Sequence, residues 1–591
     1  MVGMVPPRRG RTREPAGERW ASGPVVTPDP RLESTLPDRR QSLAHVCGVL
    51  AVYLTLAVAI TWPTGVPGSG LVPGAQRSDL YNSLWSMWFF QDAVWSGLAP
   101  FETELLDHPA GGSILIADVP AGVWATVLVP LLGLPGAYTA LVLWRLMIAG
   151  AAAHGLAREW LGDGRAAFVA GVAVETAPVV LSGVHNGTSE AFSVAAVALA
   201  AWAALRVVRG GGWPAALATG GALLLSAFAS GYAAAASLGF VTCILGLTRG
   251  EGSVRLRLAA LGLGLLLVLP WARVVVAGAT EAGTLVGIKH ARELAGVRRT
   301  TGAADPRGWL AVGGFRSPDF REISRYDEQF IHCHYLGWAV FLLGIVGLSR
   351  RREGRVALAM AGVGGLVLAM GPVVTIGGAP WVFGDERALP LPYFVVERLP
   401  GFSSLSLLWR LGLAPALALG LGGAAAVAGR PRLVPAAIVA ILIDGALLSP
   451  LGRPGRAPTT IPAGVEALGA APDGAVLNFP VVGGRGYLYE QTAHRKPVAG
   501  TLNFPNNIAG RRVWRALAGA DPATPDAARV AIEREARAAG VRYLVVHPDP
   551  LARPDMHDAG VAVARALYDP LSEPPGSGPD GPAGVEVYAL W

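Results

Sequence analysis

Ser78-Asp79-Leu80-Tyr81-Asn82-Ser83-Leu84-Trp85-Ser86-Met87-Trp88-Phe89 follows the first apolar run of the chain. It opens with a carboxylate and continues with Leu80, Leu84, Trp88 and Trp95 at helical spacing. Trp85 lies beside them, so one side of the predicted helix is apolar. Such a helix is expected to lie flat at a membrane surface, its Trp rings at headgroup level. Asp79 then stands at the water–lipid boundary, at the mouth of whatever the spans enclose, and is the leading candidate for a general base. Taken alone, the local pattern favours a plainer role, an N-cap in which Ser78 or Asp79 accepts a backbone N–H. The rest of the chain has to decide between the two.

Of the 591 residues 52% are hydrophobic and only 15% charged, with a mean hydropathy of +0.43. A soluble chain carries about a quarter charged residues. The apolar residues gather into runs of about 17 to 23, the length that crosses a bilayer core. This is the composition of a polytopic membrane protein. The net charge of +7 does not argue for nucleic acid, because the arginines cluster at the ends of the apolar runs. Two of the three cysteines, Cys47 and Cys243, lie inside such runs, which argues against a disulfide framework or a Cys-based metal site.

Residues 1–42, rich in Pro, Arg and Gly, read as a disordered cytoplasmic tail. Residues 43–450 form the predicted membrane domain. The first span, 43–62, is too long and too far from the start for a cleaved signal. Later spans are expected at 137–157, 164–181, 188–205, 213–229, 232–248, 258–277, 333–348, 356–378, 406–427 and 433–450, about eleven in all. Outer loops are expected at 63–136, 277–331 and 379–405. Residues 63–118 hold one Arg and six acidic residues, which puts that loop outside and the tail inside. The clusters Arg158/Arg165, Arg206/Arg209, Arg249/Arg255/Arg257, Arg350/Arg351/Arg352/Arg355 and Arg430/Arg432 then all fall inside, provided that the apolar piece 119–134 does not cross. It is short and contains Pro120, Pro130 and Gly133, and reads as a re-entrant or interfacial helix. Residues 451–591 change composition. Strand-like runs at 475–479, 541–546 and 585–590 and a helix at 526–539 stopped by Gly540 predict an extracytoplasmic α/β domain, tethered to the last span.

No Walker-type loop, zinc-ligand spacing, nucleophile elbow or Gly-x-Gly-x-x-Gly after a strand is present. An outward-facing enzyme has no ATP supply, so its substrate must arrive activated, most simply as a polyprenyl-phosphate sugar. Such chemistry needs a carboxylate to take the acceptor's proton and cations to hold the departing phosphate. Asp79 is the base candidate; Arg316, Arg321, Arg325 and Arg410 are the phosphate candidates. Glu190, an acid at a span edge, either lines the cavity or caps a helix. Glu102, Glu104 and Asp107 read as solvated loop charges. His332 and His334, two apart at a helical span start, are expected to point apart and not to form a metal pair. Arg273 and Asp444 lie within or near spans; phosphate binding, pairing with partners and, for Arg273, snorkelling all fit.

A cytoplasmic tail, one span and a large outer loop opening with Asp79 resemble the GT-C superfamily of membrane glycosyltransferases. Within it the chain is similar to bacterial multispan proteins of the YfhO-like kind. The similarity rests on His108-Pro109-Ala110-Gly111-Gly112, Leu389-Pro390-Leu391-Pro392-Tyr393, Leu399-Pro400-Gly401-Phe402, residues 474–480, Tyr489-Glu490-Gln491-Thr492-Ala493-His494-Arg495-Lys496-Pro497 and 540–547. The resemblance implies a catalytic-base or metal-ligand role for Asp79, and transfer of a sugar from a polyprenyl-phosphate carrier to a glycan, lipid or protein acceptor of the cell envelope. It implies a bacterial inner-membrane protein with its C-terminus outside. Two departures stand. Asp79 lacks the second acid of the pair that metal-using members carry, so no metal or other cofactor is expected. The segment 403–410 has one Arg where a pair is expected. A transporter or flippase of lipid-linked glycans, and a non-catalytic envelope-assembly protein, are the alternatives. A transporter is expected to show inverted repeats, and none is visible.

Overall fold

The computed structural model describes residues 39–64, 69–114, 118–280, 291–311, 330–350, 352–384, 387–399, 401–449, 451, 453–479, 485–502, 507–521, 523–547, 554–571 and 585–591. Most of the expected disordered tail lies outside the described residues. The chain divides into two compact units, Met1–Val49 and Leu50–Trp591. The first is described from Arg39, where the helix Arg39–Thr61 begins.

Among the described residues six helices are long and apolar enough to cross a bilayer: Leu43–Thr61, Val119–Leu161, Ser189–Val208, Gly212–Ala229, Val254–Val275 and Leu408–Val427. Gly164–Glu175 and Pro178–His185, bent by 41° where Pro178 interrupts the hydrogen-bond ladder, make a seventh if counted as one broken span. Gly231–Leu247, Trp338–Ser349, Arg355–Ala369 and Leu433–Leu447 are apolar but shorter. The expectation of about eleven crossings thus meets six or seven helices of full length. The 12 residues of Trp338–Ser349 rise only about 18 Å. That helix starts late because Gly337 adopts φ 85°, and residues 331–337 before it belong to no helix or strand.

The loops gather at two ends of the bundle. At one, Arg209 donates to the Glu159 and Trp160 carbonyls, Trp160 Nε1 to the Glu353 carbonyl, and Gly429 N–H to Asp163. Arg257 binds the carbonyls of Leu245 and Thr248 there, and Arg350 that of Ala425. At the other end Ala75 N–H bonds the His185 carbonyl, Asn186 pairs with the Ile331 backbone, and Trp409 N–H bonds the Gly302 carbonyl. Successive helices therefore alternate in direction, and the arginine-rich loops share one end. Small residues let the helices close on one another. The Tyr53 ring sits where a Cβ on Gly150 or Gly171 would overlap it.

Residues 119–161 are helical throughout except at Gly133, whose φ 69° and ψ 166° reverse the chain. A straight helix would hold Trp124 and Trp144 about 30 Å apart. Their rings instead stack at 5.7 Å, and Trp124 Nε1 donates to the Ala137 carbonyl at 3.0 Å. The first limb therefore folds back along the second, and the hairpin contributes one net traverse between the two ends.

The helix Leu80–Trp95 does not lie free on a surface, contrary to the reading of its apolar side. Leu80, Tyr81, Leu84, Trp85, Met87, Trp88, Phe89 and Phe90 are all buried. The 119–161 hairpin covers one side: Phe90 lies against Gly122, and Trp95 Nε1 donates to the Thr126 carbonyl. The C-terminal region covers the other, through Trp85 Nε1 to Gln491 Oε1 at 2.7 Å and Tyr81 stacked on Tyr489 at 5.6 Å. Of the aromatic residues that read as an interfacial belt, Trp85, Trp88 and Phe89 are packed between protein surfaces, and only Trp95, at the end of the helix, is exposed.

In the C-terminal region Ala475–Phe479 pairs parallel to Val541–Val546, which pairs antiparallel to Glu586–Ala589. The helices Gly486–His494, Ile508–Ala518 and Pro525–Ala539 make the crossover, the last ending at Gly540 with φ 66°. Leu477, Phe479, Val513, Leu517, Ile532, Val541 and Leu544 form the core. This region is docked as well as tethered. Leu71–Pro73 pairs with Arg456–Pro458, and the backbone of Leu105, Asp107 and His108 bonds that of Val498 and Gly500.

His494 is buried here, its Nδ1 accepting the Lys496 N–H at 3.0 Å, which requires that nitrogen to be unprotonated. Burial, with the nearby Lys496 ammonium, pushes its pKa down to about 4, against about 6.5 in an unfolded chain. The unfolded state therefore takes up a proton first as pH falls. Stability should drop between about pH 6.5 and 4, by on the order of 1–2 kcal/mol at pH 5. Thermal melts of the full chain at pH 7 and pH 5 should show the drop, and His494→Gln should flatten it.

Candidate functional site

Four segments meet at the end of the bundle opposite the arginine-rich loops. The turn after Pro178–His185 is the hub. His185 accepts Ala75 N–H at its carbonyl and Gly455 N–H at Nδ1, the latter at 2.9 Å. Asn186 bonds the Ile331 backbone through both ends of its amide, at 2.8 and 2.7 Å. Gly187 turns with φ 62° directly against Leu80; a Cβ there would lie 2.4 Å from the Leu80 Cα. Asp79 is thereby held beside this turn.

Asp79 occupies the N-cap position of its helix, yet its side chain makes no capping hydrogen bond. Its carboxylate instead receives Nη1 of Arg485, from the N-terminus of the helix Gly486–His494. The two side chains are 23% and 13% exposed, so the pair is partly screened from water. Asp79 is thus not satisfied by its own helix start, and its partner is Arg485 of the C-terminal region, which is none of the arginines put forward from the sequence.

Glu190 and Arg410, both candidates for substrate contact, are brought together, Nη1 to Oε1 at 2.9 Å, with Arg410 5% exposed. The Arg410 guanidinium also lies 5.4 Å from the Tyr232 ring centre and 5.8 Å from that of Trp409. Next to them Arg145 forms a bidentate pair with Asp118, both contacts 2.7 Å, and donates to the Ser189 carbonyl at 2.6 Å. Arg316, Arg321 and Arg325 lie outside the described residues.

Arg145 and Asp118 did not emerge from the sequence reading. The signal was present, since an arginine inside the run 137–157 is costly without a partner. Arg485 carried no such signal, because its partner lies 406 residues away. Glu175 is also fully buried; among the described residues neither of its oxygens has a hydrogen-bond partner. Asp444 accepts Tyr335 Oη at 2.6 Å and Ala339 N–H at 3.1 Å, which makes it a cap for the helix Trp338–Ser349. Arg273 is exposed near the end of its helix, where a long side chain can snorkel.

His332 and His334 do not point apart. They precede the helix, which begins at Trp338, so helical spacing does not separate them. Both rings lie over Trp409, centroids 5.4 and 6.3 Å away. Burial pushes the His334 pKa down to about 4, and its Nδ1 accepts Asp305 N–H at 3.2 Å. Among the described residues no group of three or more His, Cys, Asp or Glu is placed to hold a metal ion. A cavity of about 310 Å³ lies between the first loop and the C-terminal region, lined by Asp107, Pro109, Asn507, Arg512 and Glu535 among others; Asp79 does not border it.

No family model matches the chain, and no curated protein matches it in sequence. Solved structures do resemble it. The arabinofuranosyltransferase AftD from mycobacteria matches at a TM-score of 0.55 and 17% identity, over 94% of this chain and 42% of that one. A second AftD structure matches at 0.55 and 17%, over 94% and 40%. The oligosaccharyltransferase AglB from Archaeoglobus fulgidus matches at 0.48 and 11%, over 85% and 69%. The chain thus spans about two fifths of the length of AftD.

The Glu190–Arg410 pair makes a direct test of how charge is held at this end. Arg410→Leu alone strands a mostly buried carboxylate and should lower stability by about 3 kcal/mol or more. Adding Glu190→Leu should recover most of that loss, because two apolar side chains replace two compensated charges. Unfolding of the three proteins in detergent measures the coupling.

Proposed function

We propose that this chain, whose fold is that of the GT-C superfamily of membrane glycosyltransferases, transfers a sugar from a polyprenyl-phosphate carrier to a cell-envelope acceptor. The positive-inside rule assigns the arginine-rich loops to the cytoplasm. Transfer then takes place on the outer face of a bacterial inner membrane, where the Asp79 turn lies. The observation that carries the reading is the Asp79–Arg485 pair: a carboxylate withheld from its own helix and set against a guanidinium at this end.

In the proposed reaction the Asp79 carboxylate takes the proton of the acceptor hydroxyl as that oxygen attacks the sugar's anomeric carbon. The bond from that carbon to the phosphate oxygen breaks, and the phosphate leaves with the electron pair. Arg485 suits the leaving group, since guanidinium binds phosphate through two parallel hydrogen bonds. A phosphate bears at least as much negative charge as a carboxylate, so an arriving donor competes with Asp79 for Arg485. That exchange releases the base when the donor is in place. Arg410, Arg316, Arg321 and Arg325 are further candidates for the phosphate, and Glu190 for substrate contact.

One observation favours a second reading, a non-catalytic envelope-assembly protein. Asp79, Glu190 and Asp118 are each paired with arginine, as struts would be. Two variants separate the readings in membranes given labelled lipid-linked sugar. Asp79→Asn should lower transfer about 100-fold or more. The exchange Asp79→Arg with Arg485→Asp should restore stability but not transfer. Unchanged transfer by Asp79→Asn, or transfer regained by the exchange, would remove Asp79 as the base.

A further inference from the structure

The segment 371–399 leaves the helix Arg355–Ala369 at the same end as the Asp79 turn and is held firmly on its inner side. Gly377 N–H bonds Asp305, Leu391 N–H bonds the Pro372 carbonyl, and Tyr393, fully buried, donates its hydroxyl to the Phe402 carbonyl. Val382–Phe383 pairs with Arg387–Ala388, and Val373 bridges Pro390. The outward side is largely apolar, with Arg387 and Arg398 the exposed charges among its described residues. Trp381, Val382, Phe383, Leu389, Val395 and Leu399 are 42–64% exposed. Large apolar side chains at this density on a fixed backbone mark a contact surface rather than the scattered exposure that any protein shows.

Its height identifies the occupant. Trp381 N–H bonds the Val374 carbonyl, five residues past the end of the helix at Ala369. Five residues of chain reach about 18 Å at most, and Leu391 N–H bonds the Pro372 carbonyl only three residues past the same helix end, so both stretches of the patch stay near the end of their own apolar helix. That is where Trp and Tyr rings sit at membrane interfaces. Arg398, its guanidinium 4.8 Å from the Phe394 ring centre, is placed as an interfacial cation over an aromatic would be. By sequence, residues 381–399 carry Asp385, Glu386 and Glu397 against Arg387 and Arg398, so the stretch has no excess of positive charge to draw it to anionic lipid, and burial of apolar area is the main force.

We propose that the face formed by Trp381, Val382, Phe383, Leu389, Val395 and Leu399 docks onto the outer leaflet of the bilayer, immersed at headgroup depth beside the helix Arg355–Ala369. This holds whether or not the chain transfers sugar.

The full chain in lipid nanodiscs tests it. In a Cys47→Ser, Cys243→Ser background, where the remaining Cys333 is buried, Val395→Cys carries an NBD label. Leu265→Cys, exposed on a spanning helix, and Val530→Cys, exposed on the C-terminal region, are the lipid and water references. The label at 395 should be quenched by brominated lipid at least half as strongly as at 265. Iodide should quench it at least fivefold less than at 530, in low and high salt alike. Val382→Cys should behave as Val395→Cys, which guards against one variant misfolding. Iodide quenching equal to that at 530 overturns the proposal. So does protection from both quenchers, the signature of a second copy or another protein on this face.

Discussion

An arginine that leaves water must take a negative partner with it, and three such pairs organise one end of this molecule. Asp118–Arg145 fastens the start of the helical hairpin to its return limb and to the Ser189 turn. Glu190–Arg410 joins that turn to the last long apolar helix. Asp79–Arg485 joins the first loop to the C-terminal region. An unpaired ion in such surroundings costs several kcal/mol. The pairs therefore tie the relative positions of these elements to a strong electrostatic penalty for moving apart. They also concentrate titratable groups where a charged substrate could exchange with them.

The C-terminal region depends on this arrangement. A domain hung from one span would be free to swing. Here it adds backbone hydrogen bonds to the Leu105–His108 stretch and takes the aromatic side of Leu80–Trp95 as its floor. His108, in a motif that carries the family resemblance, packs against Gly540 in another. Two motifs more than 400 residues apart in sequence are thus two halves of one contact. The helix after Asp79 acquires its position from both neighbours, and Asp79 is set against Arg485 as a consequence.

Much of the architecture was legible in the sequence, and the reasons are physical. Runs of about 20 apolar residues are readable because the bilayer thickness is a fixed ruler. The arginine clusters are readable because they recur at the ends of the apolar runs, and Arg209, Arg257 and Arg350 meet carbonyls at one end of the bundle. Gly540 was readable as a helix stop because few other residues adopt φ 66° without strain. The candidate site was legible only in part. Asp79, Glu190 and Arg410 gather at one end of the bundle, each paired with an opposite charge, and His332 and His334 both lie against Trp409 because they precede a helix that Gly337 delays.

By itself the sequence determined the class of molecule: a chain whose apolar runs demand lipid, with basic loops on one side and a mixed α/β region after the last run. Those properties are local, set by the composition of twenty-residue windows. Tertiary structure alone decided which charge meets which, and which aromatic faces are covered. Asp79 and Arg485 lie 406 residues apart, and an amphipathic helix looks the same in sequence whether lipid or protein covers it. Partner choice is a property of packing, and no local window contains it.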